Sequence, residues 1–193
     1  MERYAPRLVP AGSAPRDALV EPLIANPPQS PLGEHALIPE VAWMIERDGV
    51  FVHVPASDHP DVDTMYGLAM MTMLDGELEN EVIEGLPGIA LATNGLYAPE
   101  LFLDHDHLAQ LHEMLGGKVY LAAAPRRGRF LIGGGGAGVD GMRAFVEFAH
   151  AEHDAAPIAD RISPITLLVR DGKPKAAVGE LQLIALAQAM NSR

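Results

Sequence analysis

Cysteine is absent from this 193-residue chain, which excludes a disulfide framework and thiol chemistry. Long apolar runs are absent too. The chain is 48% hydrophobic, yet no stretch approaches the roughly 20 residues needed to cross a bilayer. The opening MERYAPRLVP has no apolar h-region, so no signal peptide is expected and the cytoplasm is the expected location. Basic charge is scarce over most of the length: residues 1–117 hold 4 Lys/Arg against 19 Asp/Glu, whereas residues 118–193 hold 10 against 7. The net charge of −12 argues against binding to a phosphate backbone, so neither nucleic acid nor membrane is expected as a partner. Such acidity keeps a surface soluble, and it also leaves the Arg-rich part facing acid, within one chain or between two.

Catalytic signatures are missing as well. There is no G-x-S-x-G elbow, and Ser13, Ser30, Ser57, Ser163 and Ser192 lack catalytic context. The acidic run DGELENEVIE at 75–84 misses the calcium-loop spacing and offers no apolar setting that would raise a carboxyl pKa. No catalytic residue and no cofactor are implied.

What is present organises the chain. Residues 1–39 contain 8 of the 16 prolines. Proline fixes φ and removes a donor, so this stretch is expected as a Pro-rich extended arm with at most short ordered pieces, followed by one domain over 40–193. Asp48-Gly49 inside VAWMIERDGVFVHV and Asp171-Gly172 inside ITLLVRDGKPKAAV are two-residue hairpin signals. A third hairpin is expected over 118–132, with its turn begun by Pro125 and Gly128 free to take positive φ. Helices are expected from Asp61 or Asp63 to Leu74, over 98–115 as one helix or a pair restarting at Asp104, and over about 139–153. Gly88–Thr93 reads as a strand. Strands joined by tight turns with helices packed on them give an α+β fold built on a largely antiparallel sheet. The last predicted helix, LQLIALAQAM at 181–190, is apolar nearly all round; it belongs in the core or in a homodimer contact through Leu181, Ile184 and Met190.

Three constellations carry candidate chemistry. IGGGGAG places G-x-G-x-x-G at Gly133, Gly135 and Gly138, between a strand and a helix, where backbone N–H groups at a helix start could cradle a phosphate. The preceding strand is half of a hairpin rather than the first strand of a βαβ unit, so a simple strand-to-helix connection is the competing explanation. Arg126, Arg127 and Arg129 could grip an anion, or serve as salt-bridge partners of the acidic part. The turn and the glycine run stand roughly 13 Å apart along one strand and would not share a small ligand. His150 and His153 share a helix face, and His105 could complete a metal site, although His near a helix C-terminus is also what the helix dipole favours.

From about Glu40 to Val178 the order of segments resembles the YtpQ-like family of uncharacterised bacterial proteins. The resemblance rests on TNGLYAPELFL at 93–103, KVYLAAAPRRGRFLIG at 118–133 and ISPITLLVRDGKPKAAV at 162–178, where Gly95, Ala98, Pro125 and Pro164-Ile165 match. Where the family pattern has an acid, a serine and a turn aspartate, this chain has Tyr97, Pro99 and Gly128. The resemblance implies a soluble bacterial cytoplasmic protein and supplies no activity. A non-catalytic binding or protein-interaction module is the expected function; the alternative is an enzyme or regulator that binds a small anion or nucleotide through the glycine run or uses a histidine metal site.

Overall fold

A computed structural model describes residues 3–25, 34–58, 61–74, 76–115, 119–134, 137–179 and 183. Among the described residues the elements form two antiparallel sheets with three α-helices, the α+β class. In the smaller sheet β3 (Glu40–Arg47) is central. β1 (Tyr4–Val9) pairs along one side of it, while β2 (Val20–Pro22) and β4 (Val50–His53) share the other side. The β3–β4 turn is the Asp48-Gly49 pair, with φ of 53° and 77°. Both central residues at positive φ match the strand twist, which explains why this dipeptide marks a hairpin.

The N-terminal stretch expected as an extended arm thus supplies two strands. Pro6 is accommodated because β1 is an edge strand, where a missing N–H costs no ladder bond. Leu8 and Tyr4 are buried beside Val41, Trp43 and Ile45 in the main core.

The larger sheet runs β10-β9-β7-β8-β6-β5: β10 (Lys173–Val178), β9 (Thr166–Arg170), β7 (Val119–Arg126), β8 (Arg129–Gly133), β6 (Ala90–Asn94) and β5 (Glu79–Val82). The central hairpin differs from the sequence expectation in its turn. Pro125 is buried inside β7, which carries a one-residue bulge between Ala123 and Arg126, and the turn proper is Arg127-Gly128, with Gly128 at φ 70°. A bulge is where a strand tolerates proline. β5 lies in the acidic run read from sequence as a loop; its four residues are all exposed, so no period-two apolar pattern marks it.

Alternation assigns the two faces of this sheet. Tyr120, Ala122, Phe130, Ile132, Leu167 and Val169 point into the main core, against Trp43, Phe102 and Leu108. Ala90, Ala92, Leu121, Ala123 and Leu131 point the other way, against Met142, Phe145 and Ala149 of α3 (Gly138–Ala155). α2 (His105–Leu115) packs on the first face through Leu108, Leu111 and Leu115, after a 3-10 turn over Pro99–Leu103. Asp104 caps α2 by accepting the His107 N–H at 2.9 Å, which explains the helix restart there. α1 (Val62–Leu74) packs by β1. Of its methionines, Met65 and Met73 are buried, while Met71 is exposed. Among the described residues no helix is long and apolar enough to cross a membrane. Leu183 is buried on the α3 side and donates its N–H to Gly179 at 3.1 Å; Leu181, Ile184 and Met190, the expected dimer residues, lie outside the described residues.

Gly133 ends β8 under α3. A Cβ there would stand 2.8 Å from Cδ2 of Phe145 and 3.0 Å from Cβ of Ala90. Gly133→Ala is therefore expected to destabilise the fold by about 1–3 kcal/mol through overpacking, read as a lower urea midpoint at unchanged m-value.

Candidate functional site

The described glycines of the run, Gly133, Gly134 and Gly138, serve packing and turning. Gly133 lets Phe145 approach the sheet, Gly134 takes φ 75°, and Gly138 takes φ 67° as α3 begins. Gly135 lies outside the described residues.

The Arg turn is engaged internally. Arg129 points to the α3 side of the sheet and is 11% exposed; its Nη1 lies 2.8 Å from Glu81 Oε1 and donates to Asn94 Oδ1 at 2.7 Å, while its Nε lies 2.9 Å from Glu152 Oε2. Arg126 Nε approaches the same Glu152 oxygen at 3.6 Å. Arg127 turns to the opposite side, where its Nη1 donates to the Leu8 carbonyl at 2.9 Å. The three guanidinium groups therefore do not converge on one anion. They tie β5, β6, α3 and β1 to the central hairpin, and the Arg129–Glu81 pair joins the basic part to the acidic one.

Beside Arg127 lies a group that sequence reasoning passed over. Glu100 has no exposed surface. Its Oε1 accepts the Leu8 N–H at 3.0 Å, and its Oε2 has no hydrogen-bond partner. Burial raises its pKa, opposed by the Leu8 N–H and by the cations Arg7 and Arg127. The signal available was a single acid inside the apolar run YAPELFL.

The histidines do not assemble. α2 and α3 occupy opposite faces of the larger sheet, so His105 at the start of α2 is separated from His150 and His153 at the end of α3. His105 is exposed; burial, with Lys173 next, lowers its pKa against the pull of Asp104 and Asp106. His150 and His153 both approach Asp154, at 3.8 Å and 3.1 Å. The His153 hydrogen bond holds the Asp154 carboxyl below its usual range. Among the described residues no group of three or more His, Asp or Glu is placed to hold a metal.

A concavity of about 300 Å³ lies beside Arg126, Glu152 and Asp160, and a larger one lies on the other face. Tyr120 in β7 donates its hydroxyl to the Leu108 carbonyl at 2.8 Å, and its ring meets His112 edge-on at 4.8 Å. These contacts anchor α2 over the middle of the sheet, and its outer flank leaves a cleft above β6 and β5. The cleft encloses about 360 Å³ and is walled by Leu91, Thr93, Asn80 and Ile132 of the sheet and His107, Gln110, Leu111 and Met114 of α2. Thr93 donates its hydroxyl to Asn80 Oδ1 at 2.7 Å, which commits that oxygen to the wall. Among the described residues that line it there is no carboxylate, lysine or arginine. Chemically it offers an apolar floor with amide and imidazole groups at its rim.

No family model, curated protein or solved structure matches this chain.

Two outcomes are expected. Arg129→Ala removes the hydrogen bond to Asn94 and the ion pairs with Glu81 and Glu152 and lowers stability by about 2–3 kcal/mol, while millimolar phosphate leaves the wild-type melting temperature unchanged in a thermal scan. For Glu100 the raised pKa sets the sign: a carboxyl held above its unfolded value favours folding at low pH, and that contribution is lost as pH rises from the ordinary 4.5 through the folded-state value. Relative to Glu100→Gln, wild-type stability should fall with rising pH across that window in urea titrations.

Proposed function

We propose that this protein is a non-catalytic binding module of the cytoplasm, and that the cleft between α2 and the β5–β6 margin is its working surface. The observation that carries this is the cleft's lining: an apolar floor with amide, hydroxyl and imidazole groups at its rim and, among the described residues, no carboxylate, lysine or arginine, in a volume of about 360 Å³. Sites that hold a ligand group are concave and mostly apolar, with a few placed polar atoms. The absence of an activated nucleophile among the lining residues fits holding rather than turnover, since the Thr93 hydroxyl is engaged with Asn80. The resemblance to the uncharacterised YtpQ-like family adds no reaction.

A second occupant class, a small neutral ligand, is favoured by the volume alone, which falls at the low end of small-molecule sites. A fragment screen followed by amide NMR tests the proposal. Hits are expected to shift resonances of Leu91, Thr93, His107 and Met114 together and to be lost on Met114→Arg, a substitution at an exposed lining position. Hits scattered over the surface, or steady turnover of a fragment by the purified protein, would overturn it.

A further inference from the structure

Among the described residues β5 ends the larger sheet, pairing with β6 on one side only. The Ile83 N–H donates to the Ala90 carbonyl at 2.9 Å. This makes 83/90 a hydrogen-bonded pair, and the antiparallel alternation then assigns 81/92 and 79/94 to the same class. The main-chain N–H and C=O groups of Asn80 and Val82 consequently point away from β6, off the open edge of the sheet.

The two faces of β5 differ in chemistry. Asn80 and Val82 stand opposite Thr93 and Leu91, on the cleft face. Val82 is 68% exposed and Met114, across the cleft, is 46% exposed, so an apolar strip borders the open edge. Glu79 and Glu81 project to the other face, and Glu77 and Glu84 flank the strand; all four are exposed. Arg129 meets Glu81 at 2.8 Å, and no basic residue occurs between positions 77 and 84.

Resting on the binding-module function proposed above, we infer that β5 receives an extended segment of a partner protein as an added strand, with apolar side chains entering the cleft and Lys or Arg alternating toward Glu79 and Glu81. The added strand satisfies the outward groups of Asn80 and Val82, and alternate side chains supply specificity. A second copy of this chain is disfavoured as the occupant. Two-fold pairing of β5 with itself sets the glutamates of one strand against those of the other, and like charges directly opposite destabilise a sheet. The acidic face selects a basic segment, whereas glutamates on a strand with no docking role would only guard the edge against pairing.

The test uses two capped synthetic peptides on the full chain, one alternating Val with Lys and one alternating Val with Glu. The Val/Lys peptide is expected to bind, to protect the Asn80 and Val82 amides from hydrogen exchange, and to weaken as salt is added; the Val/Glu peptide is expected to bind about tenfold more weakly or worse. Val82→Pro removes an outward N–H and leaves the bonds to β6 in place, so it should weaken the Val/Lys peptide about tenfold at an unchanged melting temperature. Glu79→Lys, on an exposed position, should narrow or reverse the preference between the peptides and keeps the proposal testable if the proline variant misfolds. Equal binding of the two peptides, or binding that leaves the Asn80 and Val82 amides unprotected, overturns the added-strand proposal. Fragments that shift the cleft while neither peptide binds also overturn it and leave the cleft's binding role standing; loss of both overturns both.

Discussion

The join at Leu8 is the constraint on which the rest of this structure depends. Leu8 sits on the edge strand β1, fully buried, with its N–H and C=O turned away from β3. The N–H is taken by Glu100 at 3.0 Å and the C=O by Arg127 at 2.9 Å. Buried main-chain groups without partners are costly, so the smaller sheet can bury this edge only because the 3-10 turn and the central hairpin present those two side chains. A fully buried carboxylate is itself expensive. Its raised pKa is the visible consequence, and the nearby Arg7 and Arg127 limit the penalty. Through this junction the two sheets share one core that runs from Trp43 to Phe130 and Leu167.

A second junction sits on the opposite face, where Arg129 gathers Glu81, Asn94 and Glu152. Together they account for the basic cluster that stands out in the sequence. The three arginines diverge because the turn places Arg127 on one side of the sheet and Arg129 on the other. Charge that resembled a ligand site thus serves as internal fastening, and the cleft proposed as the working surface lies away from it, between α2 and the β5–β6 margin.

Much of the fold was legible in local sequence. Asp48-Gly49 and Asp171-Gly172 mark hairpins because both residues of each pair adopt positive φ, with values of 53°, 77°, 53° and 68°. Few other dipeptides do so at low cost. The restart of α2 at Asp104 was legible for a similar reason, since the aspartate side chain satisfies a helix N–H that would otherwise be bare. The cleft was not legible. It arises from where Tyr120 pins α2, and its walls come from β5, β6, β8 and α2, which no local pattern brings together.

The amino-acid order by itself determined the hairpin turns, the helix starts and the class of fold, because these follow from backbone φ preferences, capping side chains and apolar periods of two and 3.6 residues. Tertiary structure alone decided what each conspicuous residue is for. Pro6 and Pro125 stand inside strands because an edge and a bulge tolerate them, and β5 forms from an acidic run because β6 offers it a ladder. The histidine groups stay apart because α2 and α3 lie on opposite faces of a sheet. Glu100, unremarkable in a list of acids, becomes the buried partner of Leu8 because the fold folds it inward. Propensity acts within a few residues, whereas the pairing of distant surfaces is fixed only when the whole core closes.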